Sequence, residues 1–588
     1  MKKSIVVIVV IIFIVSCTFQ PAVKETGIQI HDIQGCAHLS PLNGMRIYEV
    51  QGVVTHKSNN GFTMQSSSPD EKACTSEAIF VFTKTYPQVS VADLVSVSGL
   101  VEEFQPGEPD DHNLTITEII DPEIRIVHHD SAMPQAVVLD HASIPDQVIE
   151  NDGFRDFDIR EDGMDYYESL ESMLVEIDQA IVVAPRNRYN EIVVVPEELL
   201  SKNIVSGLGP ILETEYDQNP EFITVKLPAS QNDQIGTGAI AENTIIGILD
   251  YSFGLYKILC FSQVNFSSNQ KEIGQFFHQL DGLSMASYNV NNLSRFGDDN
   301  RVRSVAHQIV DDLDSPYLIV LHEIMDDSGN VNDGVVTAEI TLDLLVTEIR
   351  NAGGPDYAYS DSPPEDGKDG GIEGGNIRSV LLYRLGQDIQ LEYVTPEIDE
   401  IKYKDGKFTV PANPYRIGKS SEAFFGSRKP PVWLMSVEGR QVFVIGVHLI
   451  SKSENSPNWG DLQPPVHPND QKRDDQARYI QTFVASIIDL NDEIPIILAG
   501  DLNSDPWATT MAQIMGNSLI DAGIVNSVDY NYSYIFEGNA QQLDYILINQ
   551  NLSEVVKHSQ IIHINTSHDE SNQISDHDPV IAVFDLSP

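Results

Sequence analysis

Basic residues are scarce in this chain relative to acidic ones. Its 588 residues include 36 Lys or Arg and 87 Asp or Glu, so the net charge is −51. A surface this acidic repels nucleic acid at long range. The composition therefore argues against a protein that coats DNA. It argues less against an enzyme, which needs only a local cationic patch and a metal ion.

Cysteine is also scarce, with four in the whole chain. No CxxC motif or Cys/His spacing occurs, which argues against a zinc site. Cys36 and Cys74 lie in one small N-terminal module, so a disulfide between them is predicted for an oxidising compartment. Cys260 then has no predicted partner and is expected to be buried and free.

The apolar run at the N-terminus is too short to span a bilayer comfortably. Two lysines precede the thirteen residues SIVVIVVIIFIVS, and Cys17 follows them. This pattern favours an export signal over a membrane helix. The motif IVSC resembles the lipobox of bacterial lipoproteins, which implies lipidation of Cys17 after removal of the preceding residues. An ordinary signal peptide cleaved elsewhere is the alternative. With Thr18 next, the resemblance implies an outer-membrane lipoprotein facing the periplasm or the cell surface.

The remaining chain divides by composition. Residues 1–17 are predicted as the lipoprotein signal peptide and 18–25 as a polar tether. Short strand-like runs separated by turn residues predict a β module over 26–125 and a second over 165–275, joined by an acidic linker over 126–164. Each β module resembles the oligonucleotide-binding (OB) region that precedes bacterial extracellular nucleases. This resemblance implies nucleic-acid contact, and a spacer role remains the alternative.

From residue 282 onward, apolar strands alternate with helical segments near 297–313, 336–352 and 470–490. This pattern predicts an α/β domain. Several strands follow one another without a helix between them, for example VWLMSV and VFVIGVHL. A mixed sheet or a sandwich is therefore expected rather than a purely parallel sheet.

Polar residues stand at one end of nearly every predicted strand of this domain. Taken singly, each has an ordinary explanation, such as a turn cap or a satisfied core histidine. Their repetition in the same place on six strands predicts a common site at one edge of a sheet. Carboxylate and amide oxygens select Mg²⁺, Mn²⁺ or Ca²⁺ over zinc. The residues are Asn289, Asn291, Glu323, His448, Asp501, Asn503, Asp544, Asp576 and His577.

The ordered motifs YNVNNL, LHEI, GNIRSVLLYR, VHLISK, GDLNS, LDYIL and SDHDPV resemble the endonuclease/exonuclease/phosphatase superfamily. The resemblance covers 282–588 and is sharpest to bacterial extracellular or surface nucleases. It implies an α/β four-layer sandwich of two mixed β-sheets flanked by helices, with the active site at one rim. The whole chain is then a multidomain protein with two OB-like modules before the catalytic domain.

The resemblance also implies a role for each site residue. Asn289, Glu323 and Asp576 resemble the metal site, and Asp501 resembles the acid that activates water. Asn503 resembles the amide that steadies the phosphate. His577, held by Asp544, resembles the imidazole that binds or protonates the scissile phosphate, with His448 as a second histidine. Asn291, Arg378, Arg428 and Lys452 are candidate phosphate or substrate contacts, and a surface role is the alternative for the three basic residues.

Two residues near the motifs have other expected roles. The family usually has Gln where this chain has His322, which puts one supporting hydrogen bond in doubt, although a neutral imidazole can still donate one. Asp578 is predicted to cap a turn before Pro579.

The resulting hypothesis is a secreted, lipid-anchored, monomeric nuclease that hydrolyses phosphodiesters of DNA, with RNA left open. It would use Mg²⁺ or Mn²⁺, with Ca²⁺ as a further choice. Phosphomonoester or phospholipid hydrolysis on the same scaffold is one alternative. A non-catalytic surface protein that binds nucleic acid is another.

Overall fold

The computed structural model describes residues 27–197, 209–267, 282–296, 299–386, 388–396, 398–525 and 532–586. The predicted signal peptide, its lipidation site Cys17 and the tether lie outside these residues. None of the helices in the described ranges combines the length and the apolar composition needed to cross a membrane.

The N-terminal β module, called module one here, has its elements between Ile30 and His128. It is a closed five-stranded barrel with the strand order β1-β2-β3-β5-β4. Its core contains Val54, Phe62 and Val97, and α1 adds Ile30 and Ile33. Cys36 and Cys74 form a disulfide beside this core. The resemblance of the barrel to OB folds stays a prediction. Its elements are α1 Ile30–Gln34, β1 Arg46–Lys57, β2 Gly61–Gln65, β3 Ala78–Phe82, β4 Leu94–Phe104 and β5 Ile116–His128, with a 3-10 turn at Pro109–Asp111.

The next module, called module two, has its elements between Val137 and Ser267. Its described residues form one sheet of nine strands, in the order β15-β12-β8-β9-β11-β14-β13-β7-β6. The second module was predicted to resemble the first, but it forms an open sheet where the first forms a closed barrel. Cys260, at the end of β14, is free and buried. The elements are β6 Val137–Val138, α2 Gly163–Glu168, β7 Leu174–Ile177, β8 Ala180–Ala184, β9 Glu191–Pro196, β10 Ile211–Leu212, β11 Ile223–Lys226, β12 Ile240–Ala241, β13 Ile245–Ser252, β14 Leu255–Cys260 and β15 Phe266–Ser267.

The segment 126–164, predicted as a linker, divides between the two modules: residues 126–128 end β5 of the barrel, and the part from β6 onward is packed into module two. β6 pairs with β7 in parallel, and Leu139, Ile144 and Ile149 are buried in the module's core. These apolar side chains are spaced too widely to give a strand or helix periodicity, so the acidic residues between them dominated the sequence pattern. Burial of each such side chain contributes about 1.5–3 kcal/mol.

The C-terminal domain contains the elements predicted from its alternating pattern. They are β16 Leu283–Leu293, α3 Asp299–His307, β17 Leu318–Ile324, α4 Glu339–Asn351, β18 Tyr357–Ser360, β19 Arg378–Arg384, β20 Ile389–Leu391, β21 Lys402–Lys404, β22 Lys407–Thr409, β23 Tyr415–Arg416, β24 Pro431–Val437, β25 Arg440–His448, α5 Asp470–Leu490, β26 Ile496–Asp501, α6 Thr509–Met515, β27 Leu519–Asp521, α7 Ala522–Val525, β28 Tyr534–Phe536, β29 Asn539–Gln541, β30 Asp544–Asn549, α8 Gln550–Ser553, β31 Val556–Ile561 and β32 Val580–Phe584. A π-helical turn at Gln308–Asp312 extends α3, and 3-10 turns lie at Glu422–Phe424 and Glu570–Asn572.

Two mixed sheets pack face to face in this domain. One has the order β18-β19-β17-β16-β32-β31. The other has the order β20-β24-β25-β26-β30-β27, with β23 beside β24. In β17, Leu318 and Val320 face the opposite sheet, whereas Ile319 and Leu321 face α3 and α4. α5 covers the outer face of the second sheet. The predicted sandwich of two mixed sheets flanked by helices is confirmed.

Module two is joined to the C-terminal domain by backbone pairing and by a shared core. β10 runs parallel to β29, and β29 pairs with β28, so these strands form a three-stranded sheet. Trp459 from the C-terminal domain lies in the core of module two, and its carbonyl oxygen accepts a 2.7 Å hydrogen bond from the Tyr251 hydroxyl. The two domains are therefore packed as one body at this junction.

Candidate active site

Strand pairing brings the predicted site residues to one rim of the sandwich. His448, Asp501 and Asp544 are direct cross-strand neighbours, because β25 runs parallel to β26 and β26 runs antiparallel to β30. In the other sheet, Asn289 of β16 pairs with His322 of β17, next to Glu323. Antiparallel pairing explains why the start of β30 meets the ends of β25 and β26.

Asn289 connects the two sheets. Its amide nitrogen Nδ2 lies 3.3 Å from Glu323 Oε1 and 3.1 Å from Asp501 Oδ2. Its Oδ1 accepts a 2.9 Å hydrogen bond from the backbone N–H of Asn291. In this conformation Asn289, predicted as a metal ligand, uses its amide nitrogen to donate to two carboxylates. Its amide oxygen is used by the backbone N–H of Asn291.

His577 stands at the centre of the site. Its Nδ1 is 2.7 Å from Asp544 Oδ2, its Nε2 is 3.8 Å from Asp501 Oδ2, and its backbone N–H donates to Ser575 Oγ. Burial by itself would lower the pKa of His577, but the charges of Asp544 and Asp501 and the hydrogen bond to Asp544 raise that pKa well above 6.5. His577 is therefore held as a cation whose Nε2 faces Asp501.

His448 is the electrostatic opposite of His577. Its Nε2 lies 3.5 Å from Asp501 Oδ2 and 3.7 Å from Glu323 Oε1. Burial and the nearby Arg428 charge lower the pKa of His448 well below 6.5. The ring is neutral near pH 7, so one of its nitrogens can donate a hydrogen bond without adding charge.

His322, which stands where the resembled superfamily usually has Gln, is buried beneath the site. Its Nδ1 lies 2.9 Å from Ser379 Oγ and its Nε2 lies 3.3 Å from Ser287 Oγ. Burial, with the charges of His577 and Arg428, lowers the pKa of His322 to about 3. The ring is therefore neutral, and each of its two nitrogens has a serine hydroxyl as its hydrogen-bond partner.

Four residues of the rim have left-handed backbone conformations. Asn291, Asn292 and Asn503 have φ of 46°, 55° and 47°, and Glu323 has φ of 63°. Asparagine adopts this region readily, but the same conformation costs a glutamate about 1–3 kcal/mol. The strand pairing is interrupted around Asn291, Asn292 and Glu323. The bulge lets the Asn292 backbone N–H donate to Glu323 Oε2 over 2.9 Å, which fixes the carboxylate.

The acidic side chains fit a divalent metal ion. Burial, and then the charge of Asp576, raise the pKa of Glu323. Burial likewise raises the pKa of Asp501, with Asp544 adding to the effect. Carboxylates crowded in this way are stabilised by a cation, and their hard oxygens suit Mg²⁺ or Mn²⁺. Glu323 and Asp576 are the residues that would hold it, and the side chain of Glu323 is 17% exposed.

The predicted phosphate contacts do not all reach this rim. Arg378 donates to the backbone oxygens of Val336 and Asn376 and pairs with Asp361 at 3.2 Å, so it ties loops together beside the site. Arg428 is buried, donates to Leu449 O and lies close enough to Glu323 and Asp501 for their charges to act on it.

Lys452, a predicted phosphate contact, and Asn503, predicted to steady the phosphate, both bond to neighbouring groups of the chain. Lys452 is half-buried and pairs with Asp505 at 2.6 Å. Asn503 uses its backbone N–H on Asp501 at 2.9 Å, and its amide donates to Leu449 O at 3.3 Å.

Asp578 has a structural role at a turn other than the one predicted. Its carboxylate accepts hydrogen bonds from the backbone N–H groups of residues 564, 565 and 566, and it lies 3.0 Å from His563 Nδ1. The capped turn, at residues 564–566, lies more than ten residues before His577 in the chain. The prediction that Asp578 caps the turn directly before Pro579 was therefore wrong about which turn is capped.

Tyr534 belongs to the site, although no role was predicted for it. Its ring centroid lies 4.9 Å from that of His577, at an interplanar angle of 35°. Tyr534 lies in the sequence YSYIFEGN, where an aromatic residue on a short strand usually indicates packing. Only the position of β28 beside His577 reveals the contact.

Gly500, in the GDLN motif, is required by close strand packing. A Cβ atom there would lie 1.8 Å from the carbonyl oxygen of Val447 on β25.

We expect Gly500→Ala to lower the free energy of unfolding by about 1–3 kcal/mol and to displace Asp501. Urea unfolding tests this, with Gly523→Ala as the control because the atom nearest to its Cβ would be Asp521 Oδ1, at 3.2 Å. Equal stability of the two variants would contradict the steric argument.

The raised pKa of His577 predicts a pH-dependent contribution to stability. The folded state binds this proton more tightly than the unfolded chain does. The contribution is therefore complete below about pH 6.5 and disappears as the pH rises through the folded-state pKa. Urea unfolding in the presence of a chelator, at several pH values, should show the advantage of the wild type over His577→Asn shrinking with increasing pH. A constant difference would contradict it.

Two family models match separate parts of the chain. The model described as Endonuclease/Exonuclease/phosphatase family matches residues 286–577, and the model described as Domain of unknown function (DUF8508) matches residues 127–269. The second match begins within the segment that was predicted as a linker. No curated protein is significantly similar to the chain.

Several solved structures are similar to about half of the chain. Truncated TDP2 from Caenorhabditis elegans is 16% identical, covering 52% of this chain and 98% of that one, with a TM-score of 0.33. An endonuclease/exonuclease/phosphatase family protein from Leptotrichia buccalis is 15% identical, with coverages of 52% and 100% and a TM-score of 0.35. A mannosyl-6-phosphatase from Bacteroides thetaiotaomicron is 14% identical, with coverages of 51% and 98% and a TM-score of 0.31.

Proposed function

Because the C-terminal domain of this chain belongs to the endonuclease/exonuclease/phosphatase family and is a phosphoester hydrolase, we propose that the protein is a divalent-metal-dependent nuclease. Its proposed substrate is extracellular DNA, with RNA as a second polymer to test. The observation that supports this most directly is the group formed by His577, Asp544 and Asp501, in which one imidazole nitrogen and one oxygen of each carboxylate lie within 4.8 Å of one another. Glu323 is close enough for its charge to interact with that of His577.

Each residue has a defined task in the proposed hydrolysis. Asp501, with its raised pKa, orients a water molecule and accepts its proton, and Asn503 steadies the phosphate. The cationic His577, held by Asp544, binds a phosphoryl oxygen or donates a proton to the leaving group. The neutral His448 donates a hydrogen bond to the phosphate. A divalent ion held by Glu323 and Asp576 would supply stabilisation of charge on the phosphoryl oxygens.

The charge balance of the rim favours a diester over a monoester. Four carboxylates, those of Glu323, Asp501, Asp544 and Asp576, face two cations, His577 and Arg428. One divalent ion brings this set to neutrality. A diester then adds a single negative charge, whereas a monoester near neutral pH adds about 1.5 to 2, as phosphorylated side chains do. Each additional unpaired charge in a buried site is costly.

A direct comparison of substrates tests the proposed function. Purified protein with Mg²⁺, Mn²⁺ or Ca²⁺ is incubated with supercoiled plasmid, linear DNA, RNA, a phosphomonoester, sphingomyelin and a phosphoinositide. Nicking of the plasmid is the expected result and also indicates internal cleavage. Turnover of only the monoester or the lipids would overturn the nuclease proposal while leaving phosphoester hydrolysis intact.

The cellular setting forms part of the same proposal. A lipid on Cys17 would hold the enzyme at the outer membrane, with the catalytic domain in the periplasm or outside the cell. The N-terminal modules would act there as spacers or as additional contacts to the polymer. Globomycin sensitivity of processing, together with protease accessibility on intact cells, tests the anchor and the face of the membrane. Unchanged processing of Cys17→Ser would contradict the anchor.

A further inference from the structure

Module two contacts the C-terminal domain at the two segments that border His577. One is the hairpin segment, residues 532–541, which contains β28 and β29. The other is the catalytic loop, residues 566–577, which ends at His577. The hairpin segment belongs to neither sheet of the sandwich, because its strands pair with each other and with β10 of module two.

Module two holds the hairpin segment through backbone, side-chain and apolar contacts. Ile211 and Leu212 pair in parallel with Asn539 and Ala540. The Asn219 amide donates a 2.7 Å hydrogen bond to Asn539 Oδ1. Ile535 packs against a cluster of buried aliphatic residues of module two, which includes Val183 and Val195.

The hairpin segment in turn contacts residues on both sides of the reacting groups. Ser533 Oγ accepts a 3.0 Å hydrogen bond from the backbone N–H of Asp544, and Ser533 O accepts a 2.8 Å bond from the backbone N–H of Asp578. The next residue, Tyr534, places its ring against His577. Displacement of the hairpin segment would therefore move the partner of His577 and one wall of its pocket.

Module two holds the catalytic loop at a separate point. Arg186 Nε donates a 2.7 Å hydrogen bond to Asp569 Oδ2, and both side chains are largely buried. The backbone N–H of Glu570 donates to Arg186 O over 2.9 Å, and that of Thr237 donates to Ser567 O over 3.0 Å. Gly236 allows this approach, because a Cβ atom there would lie 2.7 Å from Ser567 O.

We propose that module two, the domain of unknown function, is a positioning element of the phosphoesterase site. It sets the placement of Tyr534 and His577 through the hairpin segment and the catalytic loop, with Arg186 as its main positioning residue. This inference rests on the proposed function for its kinetic consequences only. Small displacements of a catalytic group lower turnover strongly, because the group must be in place before the transition state is reached.

Two variants of module two test the positioning role in the full-length protein. Arg186→Ala removes the ion pair to Asp569, and Gly236→Ala forces Ser567 away. For each we expect a kcat for plasmid nicking about 10- to 100-fold below wild type, with KM changed by less than about threefold. Arg186→Lys restores the charge and should recover part of the loss.

The matched control is Arg188→Ala, which removes the same charge from the same module. The Arg188 side chain is 71% exposed and lies 4.0 Å from Glu570, whereas its backbone N–H makes the 2.7 Å bond to Glu570 Oε2. That bond survives the substitution, so Arg188→Ala should keep wild-type kcat. An equal loss in Arg186→Ala and Arg188→Ala would show a general charge effect and overturn the proposal.

Hydrogen exchange provides a readout that does not depend on activity. Amides of residues 532–541 and 566–577 should exchange faster in Arg186→Ala and Gly236→Ala than in wild type, while the barrel of module one is unchanged. Exchange at these segments that matches wild type in both variants would overturn the positioning role, whatever the protein hydrolyses. A wild-type protein that cleaves no phosphoester would overturn the proposed function instead, and the exchange result would still decide the role of module two.

Discussion

His577→Ala is expected to lower the turnover for plasmid nicking by about 10²- to 10⁴-fold, the range that proton transfer by a positioned side chain contributes. The substitution removes the imidazole that is bonded to Asp544. It also leaves Asp501 and Asp544 without the cation that lies between them. Both the donor to the phosphate and the local charge balance are lost together, so the effect exceeds that of removing a simple binding contact.

Single-turnover nicking with saturating Mg²⁺ measures this effect. His128→Ala is the control, because His128 is exposed on module one, far along the chain from the rim. Circular dichroism verifies that both variants stay folded. Nicking by a folded His577→Ala protein at the wild-type rate would show that the activity came from a contaminant or from another site.

Removal of divalent metal is expected to have a comparable effect. Excess EDTA should abolish nicking, and added Mg²⁺ or Mn²⁺ should restore it, because the rim's carboxylates otherwise repel an anionic substrate. Glu323→Gln removes one charge from the site that would hold the ion. We expect it to raise the Mg²⁺ concentration needed for half-maximal activity by at least about tenfold, the lower end of the effect seen for groups that support metal sites.

Metal binding can also be followed without activity. An ion bound only to the folded state stabilises it by about 2.7 kcal/mol at 100 times its dissociation constant. Wild-type protein should therefore unfold at a higher temperature with Mg²⁺ than with EDTA, and Glu323→Gln should lose most of this difference. Glu554→Gln, an exposed change of equal charge, should keep it.

For the nicking assay with EDTA, the contradicting outcome is cleavage that excess chelator does not diminish. That result would rule out the metal-assisted mechanism.

The strand-end residues of the site could be identified from the sequence because each follows or precedes an uninterrupted apolar run. In β17, for example, the run Leu318–Leu321 ends at His322 and Glu323, so the boundary between core and rim is visible in the order of residues. The same reasoning holds for Asp501, the last residue of β26, and for Asp544, the first residue of β30. Local patterns of this kind depend only on neighbours along the chain.

The detailed partners within the site depended on contacts between residues far apart in the chain. The orientation of the Asn289 amide is set by Asn291 and by Asp501, which lies 212 residues away. The guanidinium of Arg378 donates hydrogen bonds to loop carbonyl oxygens. No local sequence pattern indicates these bonds.

The joining of module two to the catalytic loop rests on the pair Arg186 and Asp569, which are 383 residues apart. Periodicity encodes which face of a strand is buried, and hence the layers of the sandwich and the rim where polar groups collect. Which side chains then meet across that rim is settled by the packing of whole domains, because a hydrogen bond forms between atoms that approach in space regardless of their separation in the chain.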